Sequence, residues 1–529
     1  MTAGAPQGRG PRPLRLALIC AGVVMVYLDS TVVGVALPDM QEKMGIGVSA
    51  LQWVFDIYTL AFACFLLTAG TLGDALGRGR VFLAGLAGFT AASVACALST
   101  GIGALLAARA VQGVFGAVMI TVSLSLIRQL YTEERARATA VATWAGSGGI
   151  ALAAGPIVGG LLVDAHSWQS IFWINLPIGL LALGALSWSL PLGTGRAAGG
   201  AAGGAAGGRK ADWTGQLLFV TGIGAMAYAL IEAGPKGWGS PLIVGLLAGS
   251  VLVLAGYLRW ESRTSSPMLP PALLRHRVVL MTCSVNFFGF FGLYGVIFLL
   301  TLFLQQVNGL TPVQTGLRLL ALTASITVAS LLAPAVAARL GTRTAVVAGS
   351  LVTVAGFVGL AGLEARSGFG TYWWPLVLIG TGVSVVGAPA TVALLSAVPP
   401  DRAGVASGMS QTCRQVGAVF GVALSGTLVQ QRLHAGLPDV LVTLPLPASA
   451  RAEMADAIEH GQSAGTAALP DDVRRIVLRS AGDLMADGLH TAVLVAAAGA
   501  ALAAVAAALL LRRRNDGNPP DPAPADVPA

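Results

Sequence analysis

The chain has 529 residues, of which 55% are apolar and 11% are charged. Because an ordinary soluble domain has about 25% charged residues, this composition excludes a soluble globular protein and indicates an integral membrane protein. The formal net charge of +8 does not indicate nucleic-acid binding, because in a membrane chain the positions of the cations matter more than their sum. We therefore expect the chain to be embedded in a lipid bilayer and not to bind nucleic acid.

Apolar stretches of about 17 to 25 residues recur along the chain, which is the length that a helix needs to cross a bilayer. Fourteen such stretches predict an all-α polytopic membrane protein. Their approximate bounds are 16–37, 52–70, 81–98, 105–127, 138–162, 171–190, 213–232, 241–258, 279–303, 314–337, 344–363, 373–397, 404–428 and 489–511.

The first predicted span contains an acid, Asp29, at the centre of the apolar stretch YLDSTVVGVALP. An aspartate at this depth costs roughly 2.5 to 3.5 kcal/mol to insert, and such residues are usually functional. The fourth span contains an opposite charge, Arg109, and an ion pair between the two would offset the insertion cost of both. The pair is either purely structural or a proton-coupling device, since the proton affinity of a buried carboxylate depends on its distance from a cation.

The second span contains another acid, Asp56, in the stretch LQWVFDIYTL. It follows Trp53 by three residues and so lies on a similar face of the helix. Asp56 is a candidate for a second proton site or for a carboxylate that recognises a cationic substrate. A satisfied polar contact near the helix end is the alternative.

The turn between the second and third spans reads GTLGDALGRGR. Its glycines permit a tight turn with close helix approach, and Asp74 and Arg78 can pair because they are four residues apart. The residues of this predicted tight turn are Gly70, Gly73, Asp74, Gly77, Arg78 and Arg80.

The fifth span contains the stretch ALAAGPIVGG, which includes Gly155, Pro156, Gly159 and Gly160. Small residues four apart allow close helix contact, and a proline can bend a membrane helix. Ordinary tight membrane packing is the alternative to a specific role in transport.

The Gly/Ala-rich tract GTGRAAGGAAGGAAGGRKAD divides six predicted spans from eight. If the next two spans are an insertion, six remain on each side, and the similar stretches LGRGRVFLAG and LGTRTAVVAG indicate two related halves, as in alternating-access transporters. The predicted segments are an N-terminal arm (1–15), an N-terminal half (16–190), a linker (191–212), two inserted helices (213–258), a basic loop (259–278), a C-terminal half (279–511) with a long outer loop (431–488), and a disordered tail (512–529).

Aromatic and amide side chains in or beside spans 2, 4 and 9 predict a cavity for a bulky amphipathic small molecule, with helix packing as the alternative for each residue. The candidates are Gln52, Tyr58, Gln112, Asn286, Phe290, Tyr294, Gln305 and Gln306. Arg318 is expected to extend towards the membrane surface. The long outer loop is expected to contain two short amphipathic helices, which form either a solvated cap or a gating or partner-binding element.

The distribution of positive charge predicts the orientation of the chain. With the N-terminus in the cytoplasm, 21 of the 32 Lys and Arg residues lie on the inner side, which satisfies the positive-inside rule and places both termini in the cytoplasm. All five cysteines lie in predicted spans, so no disulfide framework is expected. The abundance of Ala, Gly and Arg indicates a high-GC bacterial genome and therefore the bacterial inner membrane.

Several of these stretches resemble motifs of the major facilitator superfamily. The turn GTLGDALGRGR is similar to its signature loop, although Ala75 stands where the family usually has a basic residue. LLAARAVQGVFGA resembles its fourth-helix arginine motif, and ALAAGPIVGG its fifth-helix antiporter motif. LDSTVVGVALP and WQSIFWINLPIG are typical of its fourteen-helix drug/proton antiporter branch. The resemblance implies a fold of two six-helix halves plus two inserted helices and an exporter's fifth-helix seal. It also implies a conformational-switch role for the residues of the GTLGDALGRGR turn given above and for Arg414 near the inner gate.

The sequence therefore predicts a proton-coupled exporter of hydrophobic or cationic drugs, or of an endogenous antibiotic, that acts by alternating access without a cofactor or metal. An importer or a proton-linked transporter of an ordinary metabolite is the alternative, and a membrane sensor or intramembrane enzyme is more remote. No H-E-x-x-H or G-x-x-x-x-G-K-[ST] motif occurs, so neither a metalloprotease nor ATP hydrolysis within the chain is predicted. We expect a monomer that requires no ATP-binding subunit.

Overall fold

A computed structural model describes residues 11–511 with several gaps. The residues outside the description are 1–10, 190–211, 265–266, 366, 400–402, 445–446, 448–450, 452–453, 455–470 and 512–529. The predicted tail, nearly all of the predicted linker and most of the first amphipathic segment of the outer loop therefore lie outside the described residues.

The described chain is helical, and its helices fall into three groups. The N-terminal group consists of α1 (Arg12–Met44), α2 (Val48–Leu76), α3 (Arg78–Ala97), α4 (Ile102–Leu130), α5 (Glu134–Ala165), α6 (Ser170–Trp173) and α7 (Asn175–Ser189). A hairpin follows, formed by α8 (Trp213–Lys236) and α9 (Pro241–Glu261). The C-terminal group consists of the short α10 (Pro271–Leu274), α11 (Arg277–Leu302), a π-helical turn (Phe303–Val307), α12 (Pro312–Leu340), α13 (Thr342–Leu360), α14 (Phe369–Ala397), α15 (Ala403–Val442) and α16 (Asp471–Leu510).

Fourteen helical segments in the described ranges are long and apolar enough to cross a membrane, which confirms the predicted number. The α6–α7 pair forms one of these segments, and α11 with its π-helical turn forms another. Many leucine and valine side chains on the outer faces are exposed, as expected of surfaces that contact lipid tails. The protein is an all-α polytopic membrane protein.

The helices pack as two six-span halves with an inserted hairpin. Within the N-terminal half α1 packs on α5 and α2 on α4, and within the C-terminal half α11 packs on α15 and α12 on α14. The hairpin of α8 and α9 packs against α2 of one half and α15 of the other. The halves meet where α1 contacts α11, α2 contacts α15 and α5 contacts α12.

The halves are joined by hydrogen bonds on one side of the membrane. We call the side of Arg12 the N side and the opposite side the far side. Near the far side, the Gln305 amide donates to the Val35 carbonyl (2.9 Å) and the Gln306 amide to Gln41 Oε1 (2.5 Å). Ser49 Oγ, at the far-side start of α2, donates to Gln430 Oε1 of α15 (3.0 Å). In this conformation the two halves are in contact at the far side.

The predicted outer segment 431–488 is helical at both ends, because α15 continues to Val442 and α16 begins at Asp471. The second predicted amphipathic helix of this segment is the first part of α16, continuous with the last span. Leucine and valine side chains of the two extensions, including Leu437 and Val477, form a small apolar cluster. An apolar run marks only the part of a helix within the bilayer, and helices that pack on each other outside it are amphipathic.

Candidate functional site

Asp29 of α1 and Arg109 of α4 form an ion pair inside the N-terminal half. The distance from Arg109 Nη1 to Asp29 Oδ2 is 2.5 Å, and each residue is only 1% exposed. The structure therefore brings together the two charges that the sequence predicted to pair. Two opposite charges at this distance in a water-poor interior attract strongly, which offsets the cost of desolvating each of them.

Gln112, one turn after Arg109 on α4, forms hydrogen bonds with both members of the ion pair. Its amide donates to Asp29 Oδ1 (2.9 Å), while its own oxygen accepts from Arg109 Nη1 (2.8 Å). Arg109 Nε also donates to the Val54 carbonyl of α2 (3.3 Å). Both Asp29 oxygens and two arginine nitrogens are thus engaged, as a buried ion pair requires.

Aromatic and polar side chains close the network around the pair. The Arg109 guanidinium lies 4.3 Å from the centroid of the Tyr58 ring, which adds a cation–π contact. The Asn175 amide of α7 donates to Ser93 Oγ of α3 (2.9 Å), and Ser93 Oγ lies 3.4 Å from the Gln112 amide nitrogen. Neither Ser93 nor Asn175 is among the predicted site residues. Asn175 lies in the motif WQSIFWINLPIG, whereas the only sequence signal at Ser93 is a polar residue in an apolar span.

The eight predicted cavity residues do not line one common cavity in this conformation. Tyr58 and Gln112 belong to the ion-pair network. Gln305 and Gln306 join the halves at the far side, as described above, and the Gln52 amide donates to the Val422 and Ala423 carbonyls of α15 (3.1 and 2.6 Å). Each amide takes a buried acceptor in this conformation, as expected in an apolar span, and the role of these residues in a substrate cavity stays a prediction.

The other three predicted cavity residues lie in the C-terminal half. The Asn286 amide of α11 donates to Ser410 Oγ of α15 (2.8 Å). Phe290 and Tyr294, one turn apart on α11, stack with their ring centroids 5.9 Å apart. These aromatic rings face the guanidinium of Arg414.

Arg414 lies on α15, about three turns from the N-side start of that helix at Ala403, and its predicted switch role near the inner gate stays a prediction. Its guanidinium is 4.7 Å from the centroid of the Phe290 ring. Tyr27 of α1 and Tyr294 of α11 are close enough to interact with it electrostatically. Because Tyr27 belongs to the N-terminal half, Arg414 is positioned between the two halves.

Asp56 of α2 is fully buried, and neither carboxylate oxygen has a hydrogen-bond partner among the described residues. Gln52 and Leu60 precede and follow it by one turn, so they share its helix face, which is directed at α8 and α15. One turn away, the Trp53 ring contacts the Tyr228 ring of α8, with centroids 5.8 Å apart. Within the described part of the chain, Asp56 is thus a buried acid without a hydrogen-bond donor or an ion-pair partner.

The turn between α2 and α3 is as tight as its glycines predict. Gly77 has φ +95°, which side chains with a Cβ rarely adopt, and a Cβ at Gly73 would lie 3.1 Å from Val122 of α4. Arg78 Nη1 lies 3.5 Å from the Ser125 carbonyl. The side chain of Asp74 lies outside the described residues, Gly70 lies in α2, and Arg80 is exposed in the first turn of α3.

The glycine motif of α5 is the contact surface for two helices. A Cβ at Gly159 would lie 3.0 Å from the Val32 carbonyl of α1, so this residue permits close packing within the half. A Cβ at Gly160 would lie 2.6 Å from the Pro312 carbonyl of α12, so this residue permits close contact between the halves. Gly155 likewise packs against α1, and Pro156 packs against Gly316 of α12.

Comparison with known proteins decides the family. A family model described as Major Facilitator Superfamily matches residues 19–422. The chain belongs to the major facilitator superfamily. Solved structures agree in fold, including a bacterial homologue of the human lysosomal transporter Spinster (TM-score 0.61, 15% identity, 95% of this chain and 98% of that one) and a D-xylose–proton symporter (TM-score 0.55, 12% identity, 79% and 90%).

Curated relatives within this superfamily are resistance and export proteins. The chain is 36% identical to the tetracenomycin C resistance and export protein of Streptomyces glaucescens, over 87% of this chain and 84% of the relative. It is also 36% identical to the multidrug resistance protein Stp of Mycobacterium tuberculosis (79% and 75%) and to the puromycin resistance protein pur8 of Streptomyces alboniger (82% and 85%). This superfamily member is a multi-pass membrane transporter related to antibiotic and multidrug exporters.

Proposed function

We propose that this superfamily member is a proton-coupled exporter that exchanges protons for a hydrophobic drug or an antibiotic by alternating access. The observation that carries this proposal is the buried ion pair of Asp29 and Arg109, 2.5 Å apart and 1% exposed. A buried carboxylate whose contact with a cation can be opened is a device for binding and releasing a proton. The names of the relatives support export of drugs or antibiotics.

Helix α1 links the ion pair to the interface between the halves. Asp29 on this helix accepts a hydrogen bond from Gln112 of α4. About two turns further along α1, the Val35 carbonyl accepts a hydrogen bond from Gln305 of the C-terminal half. Movement of one half relative to the other therefore displaces α1, the helix that bears the Asp29 carboxylate. We infer that protonation of Asp29 weakens its contact with Arg109 and that this change favours one orientation of the halves.

The energy of the proton gradient is sufficient for this exchange. One proton that crosses about 100 mV supplies roughly 2.3 kcal/mol, enough for about a 50-fold gradient of a neutral substrate. We therefore propose that no cofactor, metal or ATP-binding subunit is needed, and that a monomer is the working unit. Asp56 is proposed as a second site that can take up a proton, because a buried carboxylate without a partner is costly in its charged form.

The proposed direction of transport is outward. The glycine motif of α5 contacts α12 near the far side, where it seals the space between the halves. With the N side in the cytoplasm of a bacterium, as the positive-inside rule indicates, this seal separates the substrate path from the outside. Both termini are then cytoplasmic, in the bacterial inner membrane.

The test uses purified full-length protein in vesicles that contain a pH-sensitive dye. A proton gradient is imposed, and lipophilic cations and polyketide-like compounds are added to wild type and to Asp29→Asn. We expect substrate-triggered proton flux opposite to the substrate in wild type and none in Asp29→Asn. Size-exclusion chromatography checks that the variant is folded.

Three other outcomes would contradict parts of the proposal. Equal proton flux in both proteins would make Asp29 a structural partner of Arg109. Proton movement in the same direction as the substrate would indicate an importer. Substrate movement without proton flux would exclude proton coupling.

A further inference from the structure

Arg414 differs from Arg109 and Arg318, the other two arginines within the spans predicted from the sequence, because the described residues provide no counter-ion for it. Arg109 is paired with Asp29, and Arg318 Nη1 donates to the Tyr372 hydroxyl near the far side (2.7 Å). The Nε atom of Arg414 is buried without a hydrogen-bond partner in the described part of the chain. A buried guanidinium with an unused donor is costly unless an acceptor is supplied.

The surroundings of Arg414 are aromatic and come from both halves. The Phe290 ring lies under the guanidinium at 4.7 Å, and Tyr294 stacks on Phe290. Tyr27 of α1 is within electrostatic range of the guanidinium, and so is Tyr294 of α11. The position therefore combines a positive charge, ring faces and hydroxyl groups between the two halves.

Neither acid of the N-terminal spans neutralises this charge. Asp29 is bound to Arg109 and Gln112 through both of its oxygens. Asp56 has no charged group acting on it, and the groups that act electrostatically on Arg414 are Tyr27 and Tyr294. The space between the halves at this position is therefore electropositive.

We propose that Arg414 binds the anionic group of an amphipathic aromatic substrate, such as a carboxylate or an ionised phenol. This inference rests on the proposed export function and names its substrate class. The guanidinium offers parallel donors that match a carboxylate, while Phe290 and Tyr294 offer ring faces to the aromatic part. A substrate anion supplies the missing counter-ion, whereas a cationic drug is repelled by the same charge.

The position between the halves also gives the substrate a mechanical role. An anion held by Arg414 of α15 is within electrostatic range of Tyr27 of α1, the helix that carries Asp29. Substrate binding and proton release then act on one helix from opposite faces. Loss of Arg414 is therefore expected to affect binding of the anion first and coupling as a consequence.

The experiment compares two dyes that share a xanthene ring system but differ in charge, anionic fluorescein and cationic rhodamine 6G. Binding to detergent-solubilised full-length protein is measured by fluorescence anisotropy. We expect wild type to bind fluorescein more tightly than rhodamine 6G. Arg414→Gln should weaken fluorescein binding by about tenfold or more, since a charge-assisted hydrogen-bond pair is lost, and should not weaken rhodamine 6G binding.

Two further variants separate charge from structure. Arg414→Lys keeps the charge and should retain most of the fluorescein affinity lost in Arg414→Gln. Arg318→Gln is the matched control, because it removes another arginine from a membrane span without touching Phe290 or Tyr27. It should leave the affinity for both dyes unchanged.

The inference would be overturned if wild type bound rhodamine 6G more tightly than fluorescein or did not bind fluorescein at all. It would also be overturned if Arg318→Gln weakened fluorescein binding as much as Arg414→Gln does. The wild-type comparison decides the question even where Arg414→Gln does not fold. A protein that binds rhodamine 6G more tightly than fluorescein and exports it against protons would disprove the anionic site and leave the exporter intact. A protein that binds fluorescein but moves no proton would support the site and contradict the coupling.

Discussion

At the residue scale, the two acids of the N-terminal half differ in what surrounds them. Asp29 is held by Arg109 and Gln112, whereas both oxygens of the equally buried Asp56 lack hydrogen-bond partners in the described chain. Removal of one member of a buried ion pair leaves the other charge uncompensated, but removal of an unpartnered acid leaves nothing unsatisfied. The two positions should therefore respond differently to the same substitution.

We expect Asp29→Asn to lower the free energy of unfolding by about 3 kcal/mol, because Arg109 then lacks a counter-charge. Asp56→Asn should change it by less than about 1 kcal/mol, because no partner depends on the carboxylate. Denaturant unfolding of the purified proteins in detergent measures both values. The double variant Asp29→Asn with Arg109→Gln should recover part of the loss, and strictly additive losses would argue against the pair.

At the element scale, glycines decide how closely helices approach. In the α5 motif, Gly155 and Gly159 pack against α1, whereas the next residue, Gly160, packs against α12 of the other half. Gly316 of α12 packs in turn against Pro156 of α5. The sequence predicted close packing at this motif, and the structure adds that the motif serves one helix on each side of the interface.

Gly160→Leu should abolish most of the transport, because its side chain would collide with the Pro312 backbone and hold α5 and α12 apart at the far side. Gly146→Leu is the matched control on α5, since Gly146 is exposed and a Cβ there meets nothing within 4 Å. Efflux from vesicles measures the effect. Normal efflux by folded Gly160→Leu protein would show that closure does not require this contact.

At the scale of the whole molecule, the conformation is defined by contacts between halves at the far side. Gln306 reaches Gln41, and Gln305 reaches the backbone of α1. Alternating access requires these contacts to open and re-form in each cycle. The inserted hairpin of α8 and α9 contacts both halves and must follow the same movement.

A cleavable cross-link between Gln41→Cys and Gln306→Cys should stop transport, because it fixes the far-side contact of the two halves. The two native side chains meet in the structure, so a short thiol-specific reagent can span the positions. Transport in vesicles should return after reductive cleavage, and each single variant treated with the same reagent is the control. Undiminished transport by fully cross-linked protein would show that this contact does not open in the cycle.

The sequence alone was sufficient for the fourteen spans and for the expectation that Asp29, buried in one of them, needs an opposite charge. Both follow from local composition, because the bilayer requires runs of about 20 apolar residues and makes an isolated charge within them costly. The lengths of α15 and α16 beyond the membrane were not predictable in this way, since water imposes no such requirement there.

Only the tertiary structure decided which buried polar groups have partners. Gln112 joins the ion pair, Gln52 bonds to α15, Asp56 has no described hydrogen-bond partner, and Arg414 stands beside Phe290 without a described counter-ion. Helices that are apolar on every side give no sequence signal for their rotation or their neighbours. Whether a polar side chain in such a helix is satisfied depends on groups far away in the chain, and these are fixed only when the halves pack together.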